Sequence, residues 1–249
     1  MIYLKNTPNY TGVTFFGDNM DFDELYEALH TIVGEEGDLP SYEGARLRVL
    51  AVCYDLRHSL MGNREVEFVG NGLHQDMMKH LSIVTNDQNV YFAFNVLWPE
   101  LLFVTMALND FVRLYAKKQA KNSYNPVLEY RNIWDPAIAQ VRLFQAAIAK
   151  CIKETISEAS FSRTMKLMNK DYTWCANYAT QYLDELNCDF IAMDKEKRLK
   201  NITIMAKRIA EEGRDYQEVK TAVLEAARKY NCSITNIKSI VEYPEDIEW

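Results

Sequence analysis

The fold of this chain is decided by residues 90–120, VYFAFNVLWPELLFVTMALNDFVRLYAKKQA. Apolar side chains recur at every second position of its first part, at Val90, Phe92, Phe94, Val96 and Trp98. That spacing is typical of a β-strand, and the positions between are also largely apolar, so both faces of the strand are expected to be covered. Pro99 suits the first position of a helix, and the lysines near residue 118 suit its end. The stretch therefore predicts a central strand that leads directly into a long, apolar helix.

Shorter strand patterns lie towards the N-terminus of this stretch. They are IYLK (2–5), YTGVTFFG (10–17), EVEFV (65–69) and LSIV (81–84), with helical patterns between them. After residue 122 the apolar spacing is that of helices, the first of which opens with the capping pair Asp135 and Pro136. We therefore predict an α+β fold, in which a small, mostly antiparallel sheet of four to five strands packs with helices and is followed by a helical second half.

A boundary between two regions is predicted near residue 122, in the polar stretch KNSYNPVLEY. It separates an α+β region, residues 1–122, from a helical region, residues 123–249. A chain of 249 residues is long enough to bury a substantial core. We expect the helical region to pack against the first region as one compact unit.

Composition and charge narrow the class of protein. The net charge is −7, and residues 1–122 hold 10 basic against 16 acidic side chains, which disfavours a phosphate-binding face. The five cysteines are widely spaced and lack a C-x-x-C pair, so we expect reduced thiols and neither disulfides nor a zinc site. The N-terminus lacks the apolar core of a secretory signal, and the most apolar run is interrupted at Pro99 and Glu100. These features predict a cytoplasmic protein that does not span a membrane.

The stretch CYDLRHSLMGNREVEF, residues 53–68, has two interpretations. In the functional one, His58 is an acid or base oriented by Asp55, while Arg57 and Arg64 hold an anion such as phosphate. These are parts from which a metal-independent nuclease or phosphohydrolase is built.

The structural interpretation of the same stretch needs no chemistry. Arg57 and His58 lie in the last helical turn before Gly62, where cations interact favourably with the helix dipole. Asp55 then belongs to an ion-pair network, and such networks are common without catalysis. We favour this interpretation, in which the charged cluster is mainly architecture at a junction between helix and strand.

Polar side chains inside the long apolar helix are predicted to pair with other buried groups. Glu100, Asp110 and Arg113 are expected to form a buried network with Arg48 or Arg57. Cys53 shares its helix with His58 but lies on another face, so it is expected to be a buried thiol rather than a nucleophile.

Motifs for metals and cofactors are absent from the sequence. There is no H-E-x-x-H and no glycine-rich phosphate-binding motif, so we predict no metal and no cofactor. The most basic stretch is residues 195–208, and its cations are Lys195, Lys197, Arg198, Lys200, Lys207 and Arg208. A nucleic-acid face is one interpretation of this stretch, and a solvated helix face, favoured by the interspersed Glu196, is the other.

Three stretches carry a resemblance to a known family. NYTGVTFFGD (9–18), residues 53–68 quoted above, and WPELLFVTMALNDFVRLY (98–115) resemble a family of uncharacterised bacterial proteins of about this length, labelled as a domain of unknown function. The resemblance covers most of the chain and implies a bacterial, cytoplasmic protein. It implies no activity, cofactor or catalytic residue.

The sequence leaves three functions open. We favour a macromolecular binding or self-associating module without catalytic activity, with a protein partner or a second copy in a homodimer, because abundant Tyr, Met and Phe can furnish an interface. The first alternative is the nuclease or phosphohydrolase that uses His58, Arg57 and Arg64. The second is nucleic-acid binding through residues 195–208.

Overall fold

The computed structural model describes residues 1–120, 123–169, 175–239 and 241–249. Its strands are β1 (Tyr3–Asn6), β2 (Gly12–Gly17), β3 (Glu65–Gly70) and β4 (Gln88–Leu97). Its α-helices are α1 (Asn19–Val33), α2 (Glu43–Leu60), α3 (Gln75–Leu81), α4 (Trp98–Gln119), α5 (Tyr130–Ile133), α6 (Pro136–Thr155), α7 (Glu158–Met168), α8 (Gln181–Ile191), α9 (Lys195–Glu211) and α10 (Arg214–Tyr230). The α+β prediction is confirmed, including the helical second half. The predicted boundary at residue 122 falls outside the described residues.

The four strands form one antiparallel sheet in the order β1-β2-β4-β3. The prediction that β4 is a central strand is confirmed, but the expectation that both of its faces are covered is wrong for its first part, where Gln88, Asn89 and Val90 are exposed. The prediction of a strand at residues 81–84 is wrong, because Leu81 ends α3 and Ser82 takes a left-handed backbone conformation with φ of 53°. A four-residue run with three apolar side chains is too short to distinguish a strand from a helix end.

The neighbours of β4 are displaced from one another along its length. Strand β2 pairs with residues 92–97 of β4, whereas β3 pairs with residues 88–93. Residues 88–91 of β4 therefore pair with β3 alone. At about 3.3 Å per residue, the β3–β4 ladder extends roughly 13 Å past the end of β2.

The core lies on the sheet face that carries Val13, Phe15 and Phe94. The rings of Phe15 and Phe94 stack with centroids 4.8 Å apart, and Phe22 of α1 meets Phe94 edge-on at 5.6 Å. Helix α1 packs against both α2 and α6 beside this face, and α4 follows β4 without a loop. Burying each such aromatic side chain contributes about 1.5–3 kcal/mol to the stability of the sheet.

Helix α4 connects the sheet with the later helices. It is buried on most of its surface, and it contacts α2, α6, α8 and α9. Helix α6 begins at the predicted cap, where the Asp135 side chain accepts a hydrogen bond from the Ile138 amide at 2.9 Å. No helix of the described residues combines the length and apolar character that crossing a bilayer requires.

Candidate interaction site

Residues 63–91, which we call the arm, comprise β3, α3 and the first part of β4. No residue from 60 to 92 is buried. The arm nevertheless exposes large apolar side chains, which are Val66, Phe68, Met77, Leu81, Ile83, Val84 and Val90. A contiguous set of exposed apolar side chains is typical of an interaction surface, whereas single ones are not.

The apolar face of the arm continues the core face of the sheet. Register pairs Val66 with Phe92 and Phe68 with Val90, so these side chains share the face on which Phe94 is buried. In the body that face is covered by helices, and Phe94 is 4% exposed. In the arm it is uncovered, and Phe68 is 67% exposed.

The outer edge of β3 is unpaired within the described residues, because β3 is the last strand of the sheet. Its amide and carbonyl groups on that side form a template for another strand. Helix α3 at the tip of the arm packs extensively against no other described element. Two strands and one short helix are at best marginally stable in water without further cover.

The 53–68 stretch forms the base of the arm. The Arg64 guanidinium donates to one Asp55 carboxylate oxygen from Nη2 at 2.7 Å and from Nε at 3.2 Å. This pair joins the end of α2 to the start of β3, and Arg64 also donates to the Asn63 carbonyl at 3.3 Å. The ion pair therefore ties the base of the arm to the body.

The residues of the nuclease hypothesis are not gathered in one cavity. Asp55 and Arg64 line an open cleft of about 520 Å³, but His58 and Arg57 do not line it. The His58 ring lies against Tyr54, with centroids 4.1 Å apart, and Arg57 is exposed. Asp55 contacts Arg64, and no hydrogen bond between Asp55 and His58 is present in this described part of the chain.

The basic stretch of residues 195–208 does not form one cationic face. Arg198 is buried, which corrects its assignment to such a face. Three other cations pair with acids, namely Lys197 with Asp194 at 3.3 Å, Lys207 with Glu211 at 3.8 Å and Arg208 with Asp189 at 3.8 Å. Lys195 lies over the Tyr10 ring at 5.6 Å, and Lys200 is exposed.

A partly buried polar network surrounds Arg48. Its guanidinium donates to Glu100 at 3.3 Å, as the sequence predicted, and to Asp184 at 2.8 Å. The Asn187 amide donates to Glu100 at 3.0 Å and to the Tyr243 hydroxyl at 3.1 Å, and that hydroxyl donates to Asp184 at 3.1 Å. The sequence did not indicate Asp184, Asn187 and Tyr243, because a local pattern carries no information about a partner that is distant along the chain.

Burial and the neighbouring charges shift the pKa values of two groups in this network, Glu100 and Arg48. Burial raises the pKa of Glu100 above its ordinary value, although Arg48 opposes the shift. Burial also lowers the pKa of Arg48, but the carboxylates of Glu100 and Asp184 more than compensate, so that its net pKa is raised. The network holds α2, α4, α8 and the C-terminal segment together.

The cysteines are unpaired thiols, and three of them are buried. Burial raises the pKa of Cys53 to about 12 and that of Cys151 to about 11. The Cys175 thiol donates a hydrogen bond to Asp110, and burial followed by that carboxylate raises its pKa far above the ordinary value. A thiol with a raised pKa is a poor nucleophile at neutral pH, in keeping with the prediction for Cys53.

The histidines are dispersed over the fold. His74 caps α3, where its Nδ1 accepts from the Met77 amide at 3.2 Å, and His30 lies against Tyr26. Across residues 1–120, 123–169, 175–239 and 241–249, no three His, Cys, Asp or Glu side chains come close enough together to hold a metal ion.

The fold and the arm define a class of protein: an α+β domain with a large helical part and an extended, uncovered strand–helix–strand projection. The chain belongs to the family described as domain of unknown function DUF6904, whose model matches residues 2–249. Neither the curated proteins nor the solved structures contain a match to the chain.

Proposed function

We propose that this protein works by binding another macromolecule or a second copy of itself, rather than by catalysis, and that the arm is the docking element. The observation that carries the proposal is that residues 60–92 bury no side chain while Phe68, Val84 and their neighbours expose apolar surface. Ordering a backbone costs about 1–2 kcal/mol per residue, and the arm has little burial of its own to offset that cost. Covering its apolar face with a partner supplies the missing burial.

The proposal includes a reducing, bacterial cytoplasm as the working compartment. All five cysteines are unpaired, and disulfides are the expected state of suitably placed cysteines in oxidising compartments. Residues 63–91 carry two basic against four acidic side chains, which supports docking to protein rather than to nucleic acid, since phosphate binding requires clustered cations. Arg64, the cation nearest to β3, is already paired with Asp55.

The test is the size of the complex that the protein forms in cells of its source. A tagged chain is extracted gently and its native size is measured by size-exclusion chromatography, for the wild type and for a Phe68→Ser/Val84→Ser variant. We expect the wild type to elute above the size of a free chain and the variant to elute as a free chain.

A matched control keeps this test specific to the arm. Ile204→Ser/Leu224→Ser removes two exposed apolar side chains outside the arm, from α9 and α10. It should elute with the wild type, and circular dichroism should show that both variants are folded. A wild type that elutes as a free chain, or an arm variant that elutes with the wild type, contradicts the proposal.

A further inference from the structure

We propose that the partner of the arm is a second copy of this chain, and that the two copies join edge to edge through β3, antiparallel, with Phe68 facing Phe68. The inference rests on the proposed function of the arm and adds the partner and the register. Two β3 edges joined in this way make one continuous sheet of eight strands from two four-stranded sheets. A closed, twofold dimer also removes the unpaired edge, which is otherwise an aggregation hazard.

Charge selects the register. In a symmetric antiparallel pair one residue faces its own counterpart, and like charges placed directly opposite are destabilising. Centring the pair on Glu67 places two carboxylates face to face, and centring it on Val66 places Glu65 opposite Glu67 twice. Centring the pair on Phe68 avoids both of these carboxylate pairings, and among the registers that do so it pairs the largest number of β3 residues.

The Phe68 register also aligns complementary side chains. It places Glu67 opposite Val69 and Val66 opposite Gly70, so each carboxylate lies beside an uncharged residue. A twofold axis through Phe68, perpendicular to the sheet, keeps the apolar faces of both arms on the same side. The apolar side chains of Val90 and Phe68 in one copy then lie next to those of Phe68 and Val90 in the other. The contact between the two Phe68 rings adds about 0.5–1.5 kcal/mol beyond the contribution of their buried area.

The direction of the strands brings the tip of each arm to the body of the other copy. Beyond Gly70 the chain runs past residues 61–64 of the second copy, because that strand runs in the opposite direction. Met61 and Tyr54 are exposed there, at the end of α2. The tip carries its own exposed apolar side chains, which are Met77, Leu81, Ile83 and Val84.

The extent of the arm fits the size of a stable dimer interface. Such interfaces use about 20–30 residues from each partner, and residues 63–91 together with the end of α2 supply that number. Obligate homodimer interfaces are also more apolar than ordinary surface, as this face is. A second copy therefore matches the arm in strand geometry, in charge and in size.

The experiment measures the mass of the purified chain and then tests the register with cysteine substitutions. Light scattering at tens of micromolar should give twice the chain mass of 29.0 kDa. With oxidised glutathione as the oxidant, Phe68→Cys should form an intermolecular disulfide, in which two thiols lose two protons and two electrons to glutathione. Facing Cα atoms lie about 4.5–5.5 Å apart, within disulfide reach.

Two variants serve as controls for the cross-link. Glu67→Cys should not cross-link, because in the Phe68 register its counterpart is displaced by two residues, to about 8 Å. Val90→Cys should not cross-link either, since the β4 strands of the two copies are three strand spacings apart, which places the two residues at position 90 roughly 14 Å from each other. The wild type reports any background from the half-buried Cys188 and Cys232.

The outcomes separate this inference from the proposed function. A dimer in which Glu67→Cys links instead of Phe68→Cys overturns the register, whereas a purified monomer overturns self-association. Neither result contradicts docking through the arm, which is judged by complex size in cells. A dimer unaffected by Phe68→Ser places the interface elsewhere and overturns the inference as a whole.

Discussion

Replacing Arg198 by Met should destabilise the whole chain, because this side chain connects its two halves. The guanidinium donates to the Ile191 carbonyl at 2.6 Å and to the Phe190 carbonyl at 3.3 Å, at the C-terminal end of α8. It also donates to the Thr11 hydroxyl at 2.8 Å and to the Asn9 carbonyl at 3.3 Å, in the connection between β1 and β2. A cation at a helix C-terminus is favourable in itself.

The size of the decrease in the free energy of unfolding follows from the hydrogen-bond acceptors that lose their donor in Arg198→Met. Phe190 O also accepts from the Met193 amide, and the Thr11 hydroxyl still donates to Glu248, so both remain bonded in the variant. The carbonyls of Ile191 and Asn9 lose the Arg198 donor, and an unsatisfied buried acceptor costs about 1–3 kcal/mol. Both contacts are partly buried, so water replaces some of the loss. We expect a decrease of about 2–3 kcal/mol in the free energy of unfolding.

Thermal unfolding followed by circular dichroism measures this effect. In a chain of this size, 1 kcal/mol corresponds to roughly 2–4 °C, so Tm should fall by about 5–10 °C. Arg198→Lys retains the positive charge but not the planar guanidinium group, so its Tm should lie between those of the wild type and Arg198→Met. Lys200→Met, on the exposed face of the same helix, should change the free energy of unfolding by less than about 0.5 kcal/mol. If the two halves form one compact unit, each variant unfolds in a single transition. An unchanged Tm for Arg198→Met would refute the reasoning, and two separate transitions would refute the single unit.

Two further predictions concern thiol reactivity and pH. In the native protein at pH 8, a chromogenic disulfide reagent should react rapidly with Cys188 and Cys232. It should react slowly with the three buried thiols, Cys53, Cys151 and Cys175, and in denaturant it should react with all five. A third thiol that reacts rapidly in the native protein would contradict the burial of these three side chains. Burial raises the folded-state pKa of Glu100 above its ordinary 4.5, so folding favours its protonated form and its contribution to stability is lost as pH rises through the raised pKa. Urea unfolding from pH 4.5 upwards should therefore show the wild type losing stability relative to Glu100→Gln, and a difference that is constant with pH would show that the pKa is not raised.

Local patterns were sufficient to predict the elements that build the body. The alternation in β4, the proline at the start of α4 and the Asp135 cap of α6 each act through residues that are neighbours along the chain. Because these signals are short-range, they report secondary structure before any tertiary contact is known. They also indicated the α+β class, and they placed the 53–68 cluster at a junction between helix and strand.

The same patterns could not show which charged groups are buried. Arg198 lies in a stretch rich in exposed lysines, and nothing in the local sequence distinguishes it from Lys197 or Lys200. Its burial depends on carbonyls from the β1–β2 connection and the end of α8, which meet it only when the chain is folded. Arg48 and Asp184 are brought together in the same way.

The sequence by itself determined that β3 and β4 are strands with an apolar face; tertiary structure alone decided where that face is covered. Phe68 and Phe94 occupy equivalent positions in alternating patterns, yet one is 67% exposed and the other 4%. The physical reason is that β2 and β3 pair with different halves of β4, so the helices that cover Phe94 do not reach Phe68. Periodicity records which side chains avoid water, whereas the surface that shields them is supplied by distant parts of the chain.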